Sequence, residues 1–311
     1  KDSIEIDWTF CTSYGSNDGH VKVLSMSEDG SYVLTADERD NKARLFHKDS
    51  QIPLWDYSLN YAPIGGAISA NGEYAVVATN SGGGELHLLS RTENNPVWTF
   101  DSCSSCNPSG EDSLAISSDG EYIALGTGNK LYLFGIDSRT PLWTYTGQNS
   151  YFQPVISDDG NYIAATTYGG DGLVYLFDKD SNTPLWSYLT GSTVNTVTIS
   201  EDGQYIAGAY SNKVSLFSKE ANNTILEHTT SDSIITSLSF SANGEYLAFG
   251  SNDYTFSFNR QPWPIIGSII VLGYKSLKWI LPTLIAISIP VITSIGLISN
   301  QNLIDISRKI V

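Results

Sequence analysis

The chain has 311 residues, 41% hydrophobic and 12% aromatic, which places it among globular rather than disordered proteins and leaves room for a large core. Its net charge of −16 is unevenly divided: residues 1–259 carry 12 Lys/Arg against 32 Asp/Glu, and residues 260–311 carry five against one. So acidic a main body repels phosphate backbones, and nucleic acid is excluded as an expected partner.

In chain order, the first apolar segment is "IEIDWTF" (4–10), which carries Trp8 and has no hairpin partner of its own. Two phrases then alternate. "SEDGSY" ends at Tyr32 and returns in related form at Tyr74, Tyr122, Tyr162, Tyr205 and Tyr246, at intervals of 42, 48, 40, 43 and 41 residues. "QIPLWDY" carries Trp55 and returns with Trp98, Trp143 and Trp186. A period of 40 to 48 with strand-like content predicts propeller blades, each of four strands A to D. Asp-Gly or Asn-Gly between two apolar runs makes the A–B hairpin, because glycine accepts positive φ cheaply. "VNTVTIS", "YIAGAY", "KVSLFS" and "PLWSY" are examples of strands A, B, C and D. Proline at the start of D fits an outer edge strand, where no ladder donor is lost. A tryptophan repeated on D is read as structural, filling the wedge between adjacent blades. In the fifth repeat "NNTILEH" places Leu226 where tryptophan is expected. Six A–B–C sets but five following D strands predict an all-β, six-bladed β-propeller over residues 1–259, closed by the N-terminal strand.

The remainder is different material. "WILPTLIAISIPVITSIGLIS" (279–299) is 21 residues without a charge, long enough for a transmembrane α-helix, and residues 300–311 form a short tail. Residues 260–278 are read as an interfacial linker or helix; "PWPIIGSIIVLGY" (262–274) is too short to span alone, with a second span or one longer tilted helix as alternatives. Lys275 and Lys278 balance Arg308 and Lys309, so flanking charge does not set the orientation. Lys1 in place of an initiator Met and a close cysteine pair favour a single-pass protein with an extracytoplasmic propeller and a cytoplasmic C-terminus.

The "SxDGxYIA" phrase resembles WD-repeat and related propellers, and "LFDKDSNTPLWSY" resembles the tryptophan-docking repeat of PQQ-type quinoprotein propellers. The resemblance covers residues 4–259 and implies the propeller fold. Quinoprotein dehydrogenases have eight blades and an adjacent Cys-Cys pair; this chain has six predicted blades and no Cys-Cys, so no cofactor is carried over. The Gly-His and Trp-Asp signatures of typical WD repeats are missing apart from Gly19-His20.

No catalytic constellation, phosphate loop or metal spacing stands out. Cys103 and Cys106 lie in an insertion after Trp98 and are read as a structural disulfide, with free thiols, a redox dithiol or half a zinc site as alternatives. "ADERDNK" (36–42) and "YGGDG" (168–172) concentrate oxygen ligands but are read as ordinary turns rather than Ca²⁺ sites. Asn222 is a candidate glycosylation site. The leading functional expectation is a non-catalytic, membrane-anchored scaffold or accessory subunit of a membrane complex, bound to other protein subunits. The alternatives are a ligand-binding or quinoprotein-like enzyme or receptor, and a surface-layer or filament subunit. The A–B and C–D turns are expected to face the bilayer, with basic corners at Lys48, Arg91, Arg139, Lys179, Lys219 and Arg260 read as solvated. Partner contact is then expected at the distal loops, through Tyr14, Tyr61, Tyr151 and Phe152, while Tyr168, Tyr210 and Tyr254 are expected to cap the blades.

Overall fold

The computed structural model describes residues 8–10, 21–80, 84–101, 113–147, 151–169, 172–230, 234–242, 244–251, 255–260 and 270–273, with only the backbone of the last two segments. They form six four-stranded sheets, every neighbouring pair antiparallel and every sheet built from four strands consecutive in the chain. Sheet 1 comprises Val21–Met26, Tyr32–Asp37, Lys42–His47 and Trp55–Ser58. Sheets 2 to 5 begin at strands Pro63–Ile68, Leu114–Ile116, Tyr151–Ile156 and Val194–Ile199, and sheet 6 at Ile235–Phe240. The described residues contain no α-helix.

The core lies between sheets rather than within any one of them. Leu34, Leu45 and Trp55 of sheet 1 pack with Ala75, Val77 and Leu89 of sheet 2. Equivalent layers join sheet 2 to 3, 3 to 4, 4 to 5 and 5 to 6. A strand buried on both faces reads as a near-continuous apolar run, as in "KVSLFS", rather than as an alternation.

The hairpin phrase has an internal logic. In sheet 1 the Ser27 hydroxyl donates to Asp29 Oδ1 at 2.8 Å, and that oxygen accepts the Ser31 amide at 2.8 Å. Ser27 Oγ in turn accepts the Tyr32 amide at 3.0 Å. Hydrogen bonds from the hydroxyl and amide of Ser31, then from Ser27, hold the Asp29 carboxyl down at about 2. Ser69, Ser117, Ser157 and Ser200 repeat the arrangement with Asn71, Asp119, Asp159 and Asp202. The glycine of the turn has a second duty. A Cβ on Gly203 (φ +66°) would stand 2.4 Å from the ring of Tyr162 in the preceding sheet, so only glycine admits that tyrosine.

Each repeated tryptophan ties its sheet to the next. Trp55, Trp98, Trp143 and Trp186 donate through Nε1 to the backbone oxygens of Ser90, Ile136, Lys179 and Lys219, at 2.7 to 3.0 Å. Three of the rings stand 5.4 to 5.6 Å from Phe134, Phe177 and Phe217 of the following sheet. The register confirms the substitution in sheet 5: Leu216 faces Leu226 as Leu176 faces Trp186.

The last sheet departs from expectation. Its fourth strand is Ile270–Gly273, paired with Thr255–Arg260, where the N-terminal strand was expected. This strand also falls inside the segment read as an interfacial linker or helix. Trp8–Phe10 belongs to no strand, although Trp8 Nε1 donates to Lys48 O at 2.6 Å. Residues 279–299 lie outside the described residues, among which no helix is long and apolar enough to cross a membrane.

Candidate protein-docking surface

One end of the sheets collects exposed aromatic and aliphatic side chains. Tyr151 opens the first strand of sheet 4 and lies directly opposite Tyr168, which ends the second. The two are 46% and 53% exposed. Leu189, at the end of the fourth strand of that sheet, is exposed, as is Ile234 before the first strand of sheet 6. Tyr61, between sheets 1 and 2, is 36% exposed at the same end. The turn after the fourth strand of sheet 4 is fastened: the Thr190 amide donates to Gly172 O at 3.0 Å and the Thr190 hydroxyl to Ser192 O at 2.6 Å. Aromatic area on a fixed backbone binds with little ordering cost.

Two expectations are corrected, one a partner contact and one a core cap. Phe152 is fully buried, packed against Tyr145 and Tyr175 in the layer between sheets 3 and 4, and cannot meet a partner. Tyr168, expected to cap the core, is exposed instead. Tyr210 does cap it, bonded to Ser215 Oγ at 2.7 Å and Glu227 Oε2 at 3.2 Å, with burial pushing its phenol up. Tyr14 and Tyr254 lie outside the described residues.

Sequential four-stranded sheets stacked face to face, with the core in the interfaces, match known structures over most of the chain. The WD domain, G-beta repeat family matches residues 220–258. A chain of the crystal structure of the mitotic checkpoint complex aligns with a TM-score of 0.64 at 20% identity, covering 78% of this chain and 75% of that one. The β-propeller domain of Myceliophteria thermophila Cps50 (Swd1) aligns at 0.62 and 13% identity, over 83% and 87%. Kuenenia stuttgartiensis hydrazine synthase aligns at 0.63 and 15% identity, over 79% and 78%. The fold is a WD-like β-propeller. No curated protein sequence matches this chain.

The other end of the propeller is engaged with itself. Arg91 lies over the Tyr32 ring at 4.9 Å, Lys179 over Tyr122 at 5.8 Å and Lys219 over Tyr162 at 5.0 Å, each reaching back to the preceding blade. Lys48 pairs with Asp49, and Arg139 is exposed. The side chain of Arg260 lies outside the described residues. Burial raises the Glu201 carboxyl, and the nearby charges of Asp158, Glu28 and Asp202 raise it further. Three of the six expected basic corners are thus held over tyrosines of the preceding blade.

The remaining expected sites fall into the architecture. Asn222 donates Nδ2 to Ser187 O of the preceding blade at 2.9 Å, as Asn182 does to Thr144 O at 3.2 Å, so the candidate glycosylation asparagine serves as an inter-blade clip. Cys103 and Cys106 lie outside the described residues. Within "ADERDNK", Asp37 accepts the Arg39 amide, and Asp40 accepts the Lys42 amide and pairs with Arg44. One titratable cluster was not anticipated. His87 is buried, with Nε2 3.2 Å from Glu85 Oε2, while Nδ1 faces the Tyr57 hydroxyl at 3.3 Å and that of Thr99 at 3.4 Å. Burial lowers its pKa below the ordinary 6.5, against the opposing pull of Glu85.

Proposed function

We propose that this chain is a membrane-anchored, six-bladed propeller that serves as a non-catalytic interaction scaffold or accessory subunit of a membrane complex. The propeller stands outside the cytoplasm, and residues 279–299 form its single span. The observation that carries the reading is the group Tyr61, Tyr151, Tyr168 and Leu189 exposed at one end of the sheets, the last three at strand ends. Tyrosine buries much area at low entropy cost and is enriched where proteins meet. Surface apolar groups of this kind suit a protein face better than a charged ligand. The 21-residue uncharged segment supports the anchor.

The test is purification of the full chain from its native membranes in mild detergent, beside a Tyr61→Ser/Tyr151→Ser/Tyr168→Ser variant. The expected result is that the wild type carries stoichiometric protein partners and the variant loses them with an unchanged melting curve. A wild-type chain that purifies as a partner-free monomer, or a variant that keeps its partners, overturns the proposal.

A further inference from the structure

We propose that the fourth-strand edge of the last blade is shared by two segments, Trp8–Phe10 and Ile270–Gly273, which exchange. Ring closure is thereby coupled to the position of the C-terminal apolar segment.

Both segments satisfy the requirements of that one position, each in a different respect. Ile270–Gly273 satisfies the backbone. The fourth residue of each third strand faces the tryptophan position of the fourth: Leu45 faces Trp55, Leu133 faces Trp143 and Leu176 faces Trp186. Phe258 faces Ile270 in the same register. Trp8–Phe10 satisfies the side-chain wedge. Trp143 donates to Lys179 O and, with Tyr145, stacks on Phe177 of the next blade. Trp8 donates to Lys48 O and, with Phe10, stacks on Phe46 of the first blade. Phe10 also receives Arg44 at 5.4 Å. Trp8–Phe10 is therefore placed against blade 1 as the fourth strand of a preceding blade would be, yet these three residues belong to no strand.

The seam between the last blade and the first records the consequence. Val21 and Leu24 are 51% and 75% exposed, whereas Val194 and Val197, their register equivalents in blade 5, are 0% and 7%. Met26 is exposed as well. A Cβ on Gly30 would meet only Met26 Sδ at 3.9 Å, where Gly72, Gly160 and Gly203 each carry a tyrosine of the preceding blade. A sheet edge pairs with one strand at a time, so the N-terminal segment gains its ladder only when Ile270–Gly273 leaves. Its register then sets Trp8 opposite Phe258 and Thr9 opposite Ser257.

The test is a competition within one full-length chain in detergent. Cys11, Cys103 and Cys106 are replaced by Ser, and Thr9→Cys, Ser257→Cys and Val271→Cys are introduced. Directly paired strand positions lie within the ~4.4–6.8 Å between Cα atoms that a disulfide spans. After mild oxidation, peptide mapping is expected to find both the 9–257 and the 257–271 disulfide in one preparation. Adding Trp8→Ala is expected to shift the ratio several-fold toward 257–271. A single product whose yield ignores Trp8→Ala, or no product at either pair, overturns the exchange.

Discussion

Replacing Trp186 separates the two things a repeated tryptophan does. Its ring is 9% exposed and stands 5.4 Å from Phe217, and its Nε1 donates to Lys219 O at 3.0 Å. A buried tryptophan removes ~150–250 Å² from water. At ~25 cal/mol per Å² that is ~4–6 kcal/mol, an upper bound because the unfolded chain already buries part of this area. Measured core truncations of this size cost ~3–5 kcal/mol, and Trp186→Ala is expected in that range. Trp186→Phe keeps an aromatic ring in the wedge but removes the donor, so it is expected to lose ~1–2 kcal/mol. Urea titration of the full chain in detergent, followed by far-UV circular dichroism, reads both. In melting temperature, at roughly 2–4 °C per kcal/mol for a domain this large, the alanine variant should fall by about 6–20 °C. If Trp186→Phe proves as damaging as Trp186→Ala, the hydrogen bond and not ring burial carries the residue. If Trp186→Ala costs under ~1 kcal/mol, the wedge argument fails for every blade.

Gly203→Ala is expected to cost more than ~2 kcal/mol, since it forces a side chain to φ +66° and onto the Tyr162 ring, and urea titration checks it. Gly30→Ala, at φ +70° with open space around it, should cost only ~1 kcal/mol while the seam stands open; an equal cost would mean that a tyrosine occupies that seat. Stability should be flat above pH 6.5 and fall as pH drops below it and on through the depressed pKa of buried His87, because the unfolded chain then binds the proton first. By pH 5.5 the loss from His87 reaches up to about 1.4 kcal/mol, and His87→Gln should make the fall in urea midpoint less steep across this range, leaving the share of His228, whose pKa burial also lowers. Lys219→Met should leave partner binding intact but lower the melting temperature slightly through lost contact with Tyr162, ~0.5–1 kcal/mol.

Much of this architecture was legible because its signals are local and recur. The Asp-Gly and Asn-Gly turns sit where hairpins form, and the tryptophan phrase recurs at one register, so even its loss at Leu226 could be placed. What escaped depends on which face a side chain takes. Phe152 was read as a loop residue, but the strand already begins at Tyr151, and alternation sends Tyr151 outward and Phe152 inward. Tyr168 and Tyr210 both end second strands, yet Tyr168 lies one residue farther along a seven-residue strand and so points the other way. The role of the serine in the hairpin phrase needed coordinates, because a hydroxyl pattern does not reveal which amide it accepts. Residues 262–274 form a short apolar run, which periodicity alone cannot assign to strand or interfacial helix.

The variable layer beneath the tryptophans shows where specificity can reside. In the first four blades the third residue of the third strand meets an aromatic two places after a repeated tryptophan, in blades 2 to 4 one of the preceding blade. Arg44 meets Phe10, His87 meets Tyr57, Tyr132 meets Phe100 and Tyr175 meets Tyr145. A guanidinium, an imidazole and two phenols thus fill one slot while the wedge above it hardly changes. Such tolerance is expected where ring packing supplies most of the energy; Asp40 and Asp56 pair with Arg44 Nη2 and Nε, while Arg44 Nη1 is buried without a partner. Arg44, His87, Tyr132 and Tyr175 are all buried. Among the described residues, exposed large side chains emerge at the ends of the strands of sheet 4, at Tyr151, Tyr168 and Leu189. On the proposed function, changing these few strand-end positions should redirect binding without unfolding the propeller.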